Sequence, residues 1–164
     1  DAVSRLCDGV LSDSVCYEEE SIASGSEALF TPGGRSMQPM LHSGKNKVAL
    51  VRPQLPLKKY DLPLYRRTGG TLVLHRVVSV QNGSYTMRGD NTFEDEPGIT
   101  GSQIIGVVSR FSRRGKWHTV TGRGYRLYCA FWVGIYPLRL LLHRAWLLVR
   151  RGLSLVKRRV LKIK

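Results

Sequence analysis

The chain has 164 residues, with 26 Lys and Arg against 12 Asp and Glu, for a formal charge of +14. At 42% hydrophobic and 23% charged, with 17 Gly, the balance is that of one globular domain with an appendage, which excludes a disordered, collagen-like or multi-domain chain. A charge of +14 exceeds what solubility needs and points to an anionic partner: a phosphate backbone, an acidic lipid or an acidic substrate.

The charge divides the chain into three parts. Residues 1–30 carry a net −6, residues 31–124 a net +10, and residues 125–164 another +10 without a single acid. The expected organisation is an acidic N-terminal segment over 1–26, a basic body over 27–124 and a basic tail over 125–164. No apolar run in residues 1–30 approaches the roughly 20 residues needed to cross a bilayer. Three cysteines, Cys7, Cys16 and Cys129, stand at unrelated spacings with no His at ligand distance, so neither a disulfide framework nor a zinc ribbon organises the fold. A single Cys7–Cys16 bridge stays open.

From residue 27 onward, short apolar stretches alternate with turn residues. Ala28 to Thr31 leads into the turn Pro32-Gly33-Gly34, and the run from Lys47 to Val51 is a strand stopped by Pro53. Leu62 to Tyr65 and Thr71 to Val80 read as strands joined at Gly69-Gly70. Asn82-Gly83 turns the chain into a strand over Ser84 to Arg88. Ile104 to Phe111, the turn Arg114-Gly115 and Trp117 to Val120 form a last hairpin. The expected fold is mainly β, with coiled or barrel-like antiparallel sheets.

The tail changes period. Leu138, Leu141, Leu142, Ala145 and Val149, then Leu153, Val156 and Val160, recur at helical spacing beside a broad basic side that includes Arg139, His143 and Arg150. Gly152 is the expected bend or split. Residues 127–149 have the length of a membrane span, but Arg139 and Arg144 inside it would each cost about 2.5 to 3.5 kcal/mol at the bilayer centre. A C-terminal amphipathic helix lying in the interface of an anionic membrane fits the pattern better.

Three segments carry chemistry: Gly34-Arg35-Ser36-Met37-Gln38-Pro39-Met40-Leu41, the strand holding His75-Arg76-Val77, and Met87-Arg88-Gly89-Asp90-Asn91 with Glu94-Asp95-Glu96 behind it. A serine hydroxyl needs a base to take its proton, imidazole suits that work near neutral pH, and a carboxylate on the other ring nitrogen fixes the tautomer. The Gly33-Gly34 pair lets the backbone turn tightly enough to aim N–H groups at an oxyanion. Met37 and Met40 read as packing residues, and His42, His118 and His143 carry no partner signal.

These segments resemble the signal peptidase I family, in its endoplasmic-reticulum and archaeal branch and its short bacterial relatives. The family's G-x-S-M-x-P-x-L segment is matched by Gly34, Ser36, Met37, Pro39 and Leu41, its H-R-V strand by His75-Arg76-Val77, and its G-D-N segment by Gly89-Asp90-Asn91. The resemblance covers residues 27–111. It implies a fold of the signal-peptidase type and a serine endopeptidase in which Ser36 is nucleophile, His75 general base and Asp95 the orienting acid. Asp90 stands as an alternative acid or a structural residue, and Glu96 as a third candidate. The branch with a lysine base does not fit, because no Lys lies between Lys59 and Lys116. Two departures stand out: Gly44 is followed by Lys45 where relatives often have Asp, and Gly34 sits where some relatives place a hydroxyl donor to the oxyanion.

The resemblance further implies signal or leader peptides with small residues flanking the scissile bond, a preprotein or peptide partner, and no metal or cofactor. It places the protein at a membrane, expected to be the plasma membrane. Two rivals remain. One is a basic protein that binds nucleic acid or lipid on an inactive peptidase-like fold, although no zinc finger, helix-turn-helix or aromatic RNA-binding motif supports nucleic acid. The other is a dedicated maturation peptidase for one small secreted peptide.

Overall fold

The computed structural model describes residues 21–161. Among the described residues, nine strands run in chain order: β1 (Ala28–Phe30), β2 (Val48–Val51), β3 (Pro63–Arg66), β4 (Leu72–Leu74), β5 (Arg76–Gln81), β6 (Ser84–Arg88), β7 (Glu96–Thr100), β8 (Ile104–Arg113) and β9 (Lys116–Thr119). Two helices follow, α1 (Arg123–Gly134) and α2 (Tyr136–Leu161). The protein is mainly β with antiparallel sheets and a C-terminal pair of helices.

The larger sheet is ordered β1-β2-β8-β3-β4, with β9 also on β8. β8 can serve three partners because of its length. Its Ile104 to Val107 pairs with β3 and its Arg110 to Arg113 pairs with β9, while β2 pairs with Val107 to Phe111. The smaller sheet is the meander β5-β6-β7. Its first turn, Asn82-Gly83, has positive φ at both residues (48° and 76°), the geometry a two-residue hairpin needs and that Asn-Gly adopts at low cost.

The stretch Thr71 to Val80, expected as one strand, is two strands in two sheets. β4 ends at Leu74, β5 begins at Arg76, and His75 sits at the crossing between them. β7 carries no sequence signal, since Pro97 and Gly98 disguise it, yet Tyr85↔Ile99 and Ser84↔Thr100 pair it with β6.

Two cores hold the sheets. Ile22, Met37, Met40, Leu41, Val48, Leu50, Leu62 and Val108 belong to one, and Leu57, Tyr65, Val77, Tyr85, Met87 and Ile99 to the other. Ile22 is 1% exposed, so the core reaches back into the segment expected to precede it. Cys7, Cys16 and the bridge considered between them lie outside the described residues.

The chain divides into two compact units, Asp1–Cys129 and Ala130–Lys164. The first extends past residue 124 because Tyr125, Tyr128 and Cys129 of α1 bond to residues of the β unit. Within the second, Gly152 does not split the helix. The interruption falls at Ile135, where Pro137 has no N–H to donate to the preceding turn. On α2, Leu138, Leu141, Leu142, Trp146, Leu148 and Val149 are all more than half exposed. Arg150 lies over the Trp146 ring at 5.3 Å and His143 stacks on it at 6.1 Å. Among the described residues no helix is long and apolar enough to cross a membrane.

Candidate active site

Ser36 lies in a turn that the core holds from below. Gly34 adopts φ +76°, the left-handed conformation that lets the chain fold back, and Met37, Met40 and Leu41 beyond it are buried. The Leu41 N–H donates to the Met37 carbonyl at 2.9 Å. Asn46, itself buried, accepts from the His42 N–H at 2.6 Å and donates to the Ser112 carbonyl at 2.7 Å, which ties the end of this loop to β8.

His75 comes to the same place from the strand crossing. The Asn91 N–H donates to the Ser36 carbonyl at 2.7 Å, bringing the segment after β6 against the serine turn. Gly89 marks the meeting point. A β-carbon there would stand 2.7 Å from the Ser36 carbonyl oxygen and 3.0 Å from His75 Nε2, so the backbone approach of these three residues needs glycine. Ser36 is half-buried, whereas His75 is 4% exposed.

The carboxylate on the His75 ring is that of Glu96, the first residue of β7. Its Oε1 is 3.1 Å from His75 Nδ1. Tyr65 of β3 and Arg67, just past the end of that strand, meet the same carboxylate: the Tyr65 hydroxyl donates to Oε2 at 2.9 Å and Arg67 Nε donates to Oε2 at 2.8 Å, with Arg67 Nη2 closing on Oε1. The Tyr65 oxygen is also 3.3 Å from His75 Nδ1. The Arg67 and Tyr65 bonds outweigh partial burial and hold the Glu96 pKa below the ordinary carboxylate value, so Glu96 is ionised and accepts only. Nδ1 therefore carries the ring proton and Nε2 keeps its lone pair toward Gly89 and the Ser36 turn. Burial is the largest influence on His75 and lowers its pKa despite the opposing Glu96 charge, which keeps the ring neutral at physiological pH.

Asp95, the acid expected to orient His75, is placed on a different partner. Its carboxylate is taken by Arg88, with Nη2 to Oδ2 at 2.7 Å, at an exposed position.

Asp90 occupies the structural alternative. It is buried and receives Arg76 through two bonds of 2.8 Å, from Nε to Oδ1 and from Nη2 to Oδ2, with the Tyr128 hydroxyl adding a third at 3.1 Å. Arg76 is fully buried. Its Nη1 reaches the Tyr125 hydroxyl at 2.7 Å and Cys129 Sγ at 2.8 Å, and its Nη2 reaches Met40 Sδ at 3.1 Å. Burial pushes the Tyr125, Tyr128 and Cys129 pKa values up, so all three are neutral around the one guanidinium. Sequence reading caught Arg76 only as part of a motif. Its burial and its tie to α1 had no local signal.

Among the described residues no cluster of His, Cys, Asp and Glu could hold a metal ion. His118 stacks on Phe111 at 5.4 Å, a packing role. The constellation can therefore offer a hydroxyl, a neutral imidazole with a fixed tautomer and an ionised carboxylate behind it. No protein-family model matches the chain, and no curated protein matches it.

Proposed function

We propose that the protein is a serine endopeptidase of the signal-peptidase type that cleaves signal or leader peptides at a membrane surface. The observation that carries this reading is the His75 ring, anchored through Nδ1 on Glu96 and with Nε2 facing Gly89, the residue whose backbone also meets the Ser36 carbonyl. In the reaction, the Ser36 hydroxyl attacks the scissile carbonyl while His75 Nε2 takes its proton and then delivers it to the leaving amine. Water attacks the resulting acyl-enzyme with the same imidazole as base, and Ser36 is regenerated. Glu96 stabilises the imidazolium in both steps, with backbone N–H groups of the Gly34–Ser36 turn facing the oxyanion. Mutual likeness to signal peptidase I in three ordered segments supports the substrate class. The exposed apolar face of α2, with Arg139, Arg144, Arg150 and Arg151 on the same helix, supports attachment to an anionic membrane.

The test is an acylating probe directed at serine nucleophiles, together with a signal-type peptide. Labelling at Ser36 that vanishes in His75→Ala, with peptide cleavage lost in both Ser36→Ala and His75→Ala, is the expected result. Cleavage that persists in either variant overturns the mechanism.

A further inference from the structure

A half-open groove of about 450 Å³ runs between the loop after β2, the β8 strand and the start of α1. Four cations line it: Arg52, Lys58, Lys59 and Arg126. None of the four pairs with a carboxylate among the described residues. One acid, Asp61, shares the lining, and its Oδ2 accepts the Lys58 backbone N–H at 2.7 Å. Ser109, on the β8 wall, donates to Glu27, whose charge Arg110 matches. Part of the lining is apolar, with Leu57 and Val108 buried and Val120 half-buried.

Like charges gathered around one groove repel each other unless an anion sits among them. A phosphate satisfies the cations but leaves the apolar lining of Leu57, Val108 and Val120 unused. A nucleic acid would want bare aromatic faces for its bases. Here Lys59 lies over Tyr60 at 5.4 Å and Arg76 over Tyr125 at 5.4 Å, so both lining rings already carry a cation. A ligand with a phosphate at one end and hydrocarbon at the other uses both parts of the groove. We propose that this groove binds the headgroup of an anionic phospholipid, with Arg52, Lys58, Lys59 and Arg126 around the phosphate and the glycerol and first acyl carbons on the apolar lining. Every residue of this lining lies in the first compact unit, which ends at Cys129.

The test is a lysine footprint on the full-length protein. Amine acetylation of Lys58 and Lys59 is read by mass spectrometry, with Lys45, Lys47 and Lys116 as internal comparators. The probe is dihexanoyl phosphatidylglycerol below its micelle concentration, with dihexanoyl phosphatidylcholine as the zwitterionic control. At about ten times the dissociation constant the free fraction falls about tenfold, and labelling of Lys58 and Lys59 falls with it while the comparators hold steady. Arg52→Gln and Arg126→Gln, both at exposed positions, each weaken this protection about fivefold. Equal labelling with both lipids, or equal protection of all five lysines, overturns the proposal. Inorganic phosphate protecting as well as the lipid assigns the groove to free phosphate and overturns the lipid assignment, as does stronger protection by a single-stranded oligonucleotide. The same footprint in Ser36→Ala separates this result from the peptidase reading, since lipid binding needs no turnover.

Discussion

Replacing Asp90 by Asn tests what the buried Arg76 network does. The two side chains have nearly the same shape, so the change removes one charge and exchanges one acceptor for a donor. Oδ1 of Asp90 faces Arg76 Nε, and Oδ2 faces both Arg76 Nη2 and the Tyr128 hydroxyl. Whichever position the new amide nitrogen takes, it meets a donor. Arg76 has no exposed surface through which water could compensate. Removing one partner of a buried pair costs about 3 to 5 kcal/mol, against a total stability of about 5 to 15 kcal/mol for a domain. In urea, with a slope of about 1.5 kcal/mol per M, the unfolding midpoint falls by about 2 to 3 M. The matched control is Asp95→Asn, whose ion pair with Arg88 is exposed and worth at most about 1 kcal/mol. Midpoints for the two variants within about 0.5 M of each other would refute the reasoning.

Three further outcomes follow from the same geometry. On the proposed mechanism, Glu96→Gln lowers the turnover of a signal-type peptide by a factor on the order of 10³ to 10⁴ with little change in KM, because the carboxylate on His75 Nδ1 is gone. Asp95→Asn keeps turnover within about threefold, and the reverse order of the two variants refutes the assignment of Glu96. The pH profile carries a second signature. Burial depresses the folded His75 pKa below the ordinary 6.5, so the unfolded chain takes up a proton that the native protein does not. Stability from this group is complete above about pH 6.5 and is lost as pH falls toward the folded value, and the acid limb of kcat/KM lies below 6.5. A urea series from pH 7.5 to 5 with His75→Gln as the flat control, and an activity profile beside it, check both. Gly89→Ala drives a methyl group against the Ser36 carbonyl at 2.7 Å and the His75 ring at 3.0 Å. Serine labelling by the acylating probe falls at least about tenfold while the unfolding free energy drops by only about 1 to 3 kcal/mol.

Local chemistry made much of the β unit readable before any coordinates. Asn82-Gly83 and Arg114-Gly115 both turn with positive φ, and the Val- and Leu-rich runs beside them form strands near the positions their composition implies. Long-range causes were invisible. His75 lies within an unbroken β-like run, and only the demands of two separate sheets split it there. β7 begins with Glu96-Pro97-Gly98, a sequence that local rules assign to a turn, and pairing with β6 overrides them. Adjacent acids compete for one imidazole, and the place of Glu96 rests on Tyr65 of β3 and on Arg67 just after it, some thirty residues earlier. In the tail, the helical period was plain, but the interruption sits at Ile135 ahead of Pro137 rather than at Gly152.

The Arg76 network also sets an order of events during synthesis. Ser36, His75 and Glu96 all leave the ribosome before the residues that complete the enclosure of Arg76, because Tyr125, Tyr128 and Cys129 come from the start of α1. Until those residues emerge, the guanidinium beside His75 lacks part of its shell and Met40 below the serine turn lacks its neighbours from α1. A nascent chain that has finished every strand still has an unsealed site. A chain stopped short of Cys129 leaves Arg76 and Asp90, next to His75 and Gly89 in the chain, without the packing behind them.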